Sequence, residues 1–187
     1  MLIAKQKRTE NIAEYILYIW QLEDLLRALN FDAGRIYASL VEPQKELDED
    51  QKQTVFFWYI DIVNILKTEG KTEVGHIDHS LHLIADLNDL HLLLLKNDIE
   101  ASKSYKLKYE AVKEELPKIK EQFHTKDISD IEACFKVLYS VVLMRLKGED
   151  KKYINDALEL ISPLLAELSM IYKQAEKGQL DLFENTK

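Results

Sequence analysis

Residues 11–29 read NIAEYILYIWQLEDLLRAL, and this stretch decides the fold class. Its large apolar side chains, Ile12, Tyr15, Ile16, Ile19, Leu22, Leu26 and Leu29, recur at intervals of three and four residues. A strand would alternate every second residue, whereas this spacing stacks the side chains along one face of an α-helix. Thr9 or Asn11 supplies a side-chain oxygen for the helix N-cap. Placed on a wheel of about 100° per residue, Ile12, Ile16, Ile19 and Leu26 share one arc. Glu23 falls near the centre of that arc, and Arg27 lies one turn further on. Two charges are therefore built into the face that the helix must bury.

The same period continues outward along the chain. A short helix is predicted near 33–40. The acidic run Glu46 to Asp50 complements a helix N-terminal dipole and opens a helix through Val55, Trp58, Tyr59, Ile62 and Leu66, which stops at Gly70. Thr72 is read as the cap of a fourth helix that runs to about Lys96. A fifth carries the seam Tyr105, Tyr109, Val112, Leu116, Ile119 and Phe123, kinked at Pro117. A sixth spans about 128–147 and ends at Gly148. A seventh spans about 151–177, is kinked at Pro163 and ends at Gly178. Strand-like alternation is missing, and no internal repeat or low-complexity segment interrupts the helices. The expectation is an all-α, single-domain bundle of six or seven helices over residues 1–178, followed by a tail at 179–187.

Composition limits what such a bundle does. With 187 residues and 47% hydrophobic content, the chain can build a core without metals or disulfides. A net charge of -8 argues against direct binding to nucleic-acid phosphate, which needs clustered Lys and Arg. Cys134 is the single cysteine, so neither an internal disulfide nor a multi-cysteine zinc site can form, as a cytoplasmic protein permits. Lys5, Lys7 and Arg8 precede an amphipathic segment rather than an uninterrupted apolar one, so no signal peptide is read there. No run approaches the roughly 20 apolar residues of a membrane span, and the protein is expected to be soluble.

The buried charges are the principal candidates. An unpaired carboxylate in a core is costly, and Arg27, four residues on, is the first partner available to Glu23. On the fourth helix, Asn88 and His91 interrupt the arc of Ile77, Leu81, Ile84, Leu87, Leu94 and Leu95. The sequence therefore suggests one internal cluster of Glu23, Asp24, Arg27, Asn88 and His91. Its ordinary role is to fix helix register. The alternative is a pocket for a metal ion or small ligand at Glu23, Asp24 and His91, with or without catalysis.

Other polar patterns carry less. His79, His82, Asp86 and Asp89 share the arc opposite the leucines and read as a solvated face. The tetrads Glu73 to His76 and Glu121 to His124 have the spacing of di-iron bundles, but both lie at predicted helix ends. Ser80 lies beside His79 without a strand-turn-helix elbow, and Cys134 falls on an apolar stripe. No catalytic residue and no cofactor is assigned. The aromatic run Phe56, Phe57, Trp58 and Tyr59 wraps more than one side of its helix, as core on two sides or as core with a partner surface.

Two resemblances follow from these residues. The segments 11–28 and LNDLHLLLLK at 87–96 resemble a bacterial all-helical family known as a domain of unknown function. That likeness implies a helical fold and names no reaction. At the chain end, residues 179–183 read QLDLF, similar to the pentapeptide by which bacterial replication and repair proteins dock on the DNA polymerase sliding clamp. The likeness implies a polar contact for Gln179, apolar anchors in Leu182 and Phe183, and an auxiliary contact from Leu180. The competing reading is that these apolar residues fold back over the end of the bundle. The sequence itself determines no function; the best reading of these residues is a non-enzymatic interaction protein, and the alternative is a bundle that binds a metal ion or small ligand at its internal polar cluster.

Overall fold

The computed structural model describes residues 1–148 and 152–180. All regular structure among them is helical: α1 (Leu2–Glu10), α2 (Ile12–Ala28), α3 (Ala33–Ile36), a π-helical turn (Tyr37–Val41), α4 (Glu49–Thr68), α5 (Asp78–Lys96), α6 (Glu100–Lys113), α7 (Leu116–Gln122), α8 (Asp130–Leu146) and α9 (Lys152–Glu176). The chain divides into two compact units. One comprises residues 1–6 and 18–82, and the other residues 7–17 and the chain from 83 onward.

In the first unit, α3, the π-turn and α4 pack together. Asp48 and Gln51 open α4 with a reciprocal capping box. At the other end Lys71 N–H donates to the Leu66 carbonyl at 2.7 Å and Gly70 N–H to that of Lys67 at 3.2 Å. Gly70 takes φ +68, the left-handed conformation this closure requires. Asn30, at φ +55, closes α2 in the same way. The core of this unit includes Trp20, Leu26, Ile36, Val41, Val55, Ile62 and Leu66, all buried.

In the second unit, α9 packs against both α6 and α8, and α7 packs on α6 and α8. Tyr105, Val112, Phe135, Val137, Leu164 and Leu168 are buried there. Asn11 caps α2, its side chain accepting from the N–H groups of Ala13 and Glu14 at 3.0 and 3.3 Å. Arg8 forks onto Glu176 at 2.6 and 2.9 Å, and Lys7 pairs with Glu14 at 2.8 Å.

The structure departs from the predicted boundaries in three places. Residues 2–10 form a helix that the sequence reading left unassigned. The fourth helix begins at Asp78 rather than after Thr72, which leaves 71–77 irregular. Pro117 stands in the first turn of the separate helix α7, where its missing N–H removes no helical bond. Pro163 does lie inside its helix, α9.

Candidate functional site

The two charges of α2 are buried as their spacing requires. Glu23 has 0% exposure, so each carboxylate oxygen needs a donor. His76 Nδ1–H donates to Oε2 at 2.7 Å, and the Ile77 backbone N–H donates to Oε1 at 3.2 Å. The Arg27 guanidinium lies 3.9 Å from the same carboxylate. Its Nη1 donates to Asp24 at 2.7 Å, and its Nε and Nη2 donate to the Lys71 carbonyl at 3.2 and 3.0 Å. Nη2 also donates to the Gly75 carbonyl.

These bonds fasten one segment, the strap formed by residues 71–77. Arg27 holds its start through Lys71, and Glu23 holds its end through His76 and Ile77. Gly75 stands between them at φ +92, where a Cβ would also come within 3.2 Å of the Lys71 side chain. The His76 ring stacks on the fully buried Trp20 at a centroid distance of 3.8 Å and an interplanar angle of 7°. Trp20 Nε1–H donates to Ser80 Oγ at 3.0 Å, and the Ser80 hydroxyl donates to the Ile77 carbonyl at 2.9 Å. A carboxylate holding an imidazole is one half of a nucleophilic triad in form. Here the neighbouring hydroxyl is fully buried and committed to a backbone carbonyl, so the arrangement presents no nucleophile to a substrate.

The second unit has its own polar set. His91 is 3% exposed, and its Nδ1 shares a 2.6 Å hydrogen bond with the Tyr105 hydroxyl. The Tyr109 ring meets His91 edge-on at 5.0 Å, and its hydroxyl donates to Asp130 at 3.3 Å. Asp130 pairs with Lys120 at 2.9 Å. Burial holds His91 below the ordinary imidazole range, with the charge of Asp130 opposing it. Burial also pushes the Cys134 thiol up to about 12, so it remains a core thiol rather than a nucleophile.

The depressed His91 pKa makes stability pH-dependent with a definite sign. As pH falls below about 6.5, the unfolded chain takes up a proton at His91 that the folded chain refuses. This contribution to stability is therefore present above that pH and lost below it. Urea unfolding at pH 7.5 and 5.5 should show acid destabilisation in the wild type and a smaller pH difference in His91→Gln. An unchanged difference would assign the acid sensitivity elsewhere.

The single internal cluster expected from sequence is thus two hydrogen-bond sets, one in each unit. Glu23 takes its bonds from His76 and Ile77, and His91 takes its own from Tyr105. Asn88 is only half-buried, and Asp24 keeps 42% side-chain exposure while bonding Arg27. His76 is the site residue that sequence reasoning missed. Gly75, inside what was read as helix, is the signal that could have exposed the strap. His79, His82, Asp86 and Asp89 lie exposed, as expected. Among the described residues, no group of three or more His, Cys, Asp or Glu side chains is placed to hold a metal ion. The ligand-pocket alternative gains no support from this geometry.

At the C-terminal end α9 closes on Gly178 at φ +65, with Gly178 N–H donating to the Ala175 carbonyl and Gln179 N–H to that of Gln174, both at 2.9 Å. Gln179 is exposed and Leu180 half-buried. Asp181, Leu182 and Phe183, the rest of the pentapeptide, lie outside the described residues. No helix among the described residues is long and apolar enough to cross a membrane.

The class these features define is an all-helical protein in which, among the described residues, the internal charges are satisfied by backbone and side chains. The chain belongs to the family described as a domain of unknown function (DUF4924), whose model matches residues 1–179. Neither a curated protein nor a solved structure matches it, and the family description assigns no activity.

Proposed function

We propose that this chain is a non-enzymatic interaction protein of the bacterial cytoplasm that docks on the DNA polymerase sliding clamp through residues 179–183. The observation that carries the reading is the helix stop at Gly178. It ends α9 immediately before the pentapeptide and leaves Gln179, its first residue, exposed. A short peptide beyond a firm helix end can adopt the extended form that a partner groove demands, with Leu182 and Phe183 as apolar anchors and Gln179 as the polar contact. Glu23 is committed to His76 and the Ile77 N–H, and the Ser80 hydroxyl to the Ile77 carbonyl, which supports a binding role over a catalytic one.

The test is retention of purified bacterial clamp on the immobilised chain. The wild type should retain it, and Leu182→Ala/Phe183→Ala should reduce retention at least tenfold at unchanged Tm. Equal retention by both proteins, or no retention by the wild type, overturns the proposal.

A further inference from the structure

The aromatic run on α4 is divided between core and surface. Tyr59 is buried and Phe56 half-buried, while Phe57 stands 55% exposed. A single exposed ring is ordinary on a surface, and Phe57 gains interest only from what lies around it. It lies 6.0 Å from the Phe56 ring, and Phe56 in turn meets Tyr37 edge-on at 5.5 Å and 80°. Tyr37 is delivered by the π-turn, where Glu42 N–H reaches back five residues to the Tyr37 carbonyl at 2.9 Å; such wide turns concentrate at functional positions. These rings, with Glu49, Asp50 and Gln53, line an open groove of about 340 Å³.

The groove has a distinct chemistry along its length. Residues 50, 53 and 57 are spaced three and four apart, so a carboxylate, an amide and an aromatic ring follow one another along one face of α4. Glu49 is paired with Lys52 at 2.9 Å, but Asp50 has no ion-pair partner among the described residues. The surrounding segment 42–52 carries five carboxylates against two lysines. An exposed ring and an uncompensated carboxylate that line the same groove suit a planar cation, which stacks on the ring and forks onto the oxygens. Guanidinium meets both demands, whereas a compact ammonium meets the charge alone.

We propose that this groove binds an arginine-bearing segment of a partner protein, with the guanidinium between Phe57 and Asp50 and the neighbouring apolar residue against Tyr37 and Phe56. This surface is separate in sequence from the tail and does not depend on clamp docking. The probe is the capped peptide acetyl-Gly-Arg-Leu-Arg-Gly-amide, titrated into the full chain and followed by amide NMR shifts. Saturable shifts are expected at residues 37 and 49–57. Phe57→Ala and Asp50→Asn, both at exposed positions, should weaken binding at least fivefold at unchanged Tm, as should replacing both arginines of the peptide by lysine. Four outcomes overturn the inference: no shifts in this region, equal binding of the lysine peptide, no effect of either variant, or self-association of the chain through this face in sedimentation.

Discussion

Replacing Glu23 by alanine is expected to lower stability by roughly 3–5 kcal/mol, the range for removing one member of a buried charged set. The deletion strands two donors, His76 Nδ1–H and the Ile77 N–H, and removes the carboxylate that lies 3.9 Å from the Arg27 guanidinium. Arg27 keeps its bonds to Asp24 and Lys71, so the strap should loosen at its C-terminal end before its start. In a chain of this size the loss corresponds to a fall in Tm of roughly 10 °C. Glu23→Gln should cost less, because the amide can still accept from Ile77 and can donate to His76 once the imidazole changes tautomer. Thermal unfolding of the two variants checks this ordering. Equal and small losses would mean that the carboxylate is not what holds the strap.

The second large effect belongs to Trp20. Its ring is fully buried, stacks on His76 and donates to Ser80. Trp20→Ala should therefore cost roughly 3–5 kcal/mol, from lost apolar burial and the space left beneath the strap. Trp20→Phe keeps an aromatic surface for His76 and loses the indole donor, while the Ser80 hydroxyl retains the Ile77 carbonyl. Its cost should fall to roughly 1–2 kcal/mol. Because Trp20 and Glu23 share His76, the Trp20→Ala/Glu23→Ala pair should lose less than the sum of the single losses. Strict additivity in denaturant unfolding would deny that coupling.

Much of this fold can be read from the chain because its helices carry their own signals. The three-four spacing of Ile12, Ile16, Ile19 and Leu26 places α2, and all four are buried. Gly70, Gly148 and Gly178 mark helix ends and take positive φ there. Helix α1 was missed because its tertiary partners are invisible locally; Arg8 is secured by Glu176, far along the chain.

The candidate site was half legible. Burial of Glu23 and His91 follows from a helical wheel, because burial depends on the face a residue occupies. Their partners do not follow, because a wheel says nothing about which segment covers that face. The apolar pattern downstream extends a helix over residues 72–77, whereas Arg27 and Glu23 offer that backbone and His76 hydrogen bonds that a helix would forgo. Tyr105 reads as part of an apolar seam, and its hydroxyl, the part that meets His91, leaves no trace in a hydrophobic pattern.

That the buried charges of α2 serve to hold the strap is tested most directly by hydrogen exchange at the Ile77 amide, whose proton is donated to Glu23. In the wild type this amide should exchange slowly, and in folded Glu23→Ala its protection should be lost while the amides in the middle of α4 keep theirs. An Ile77 amide that exchanges freely in the wild type, or stays protected in the variant, would contradict the assignment.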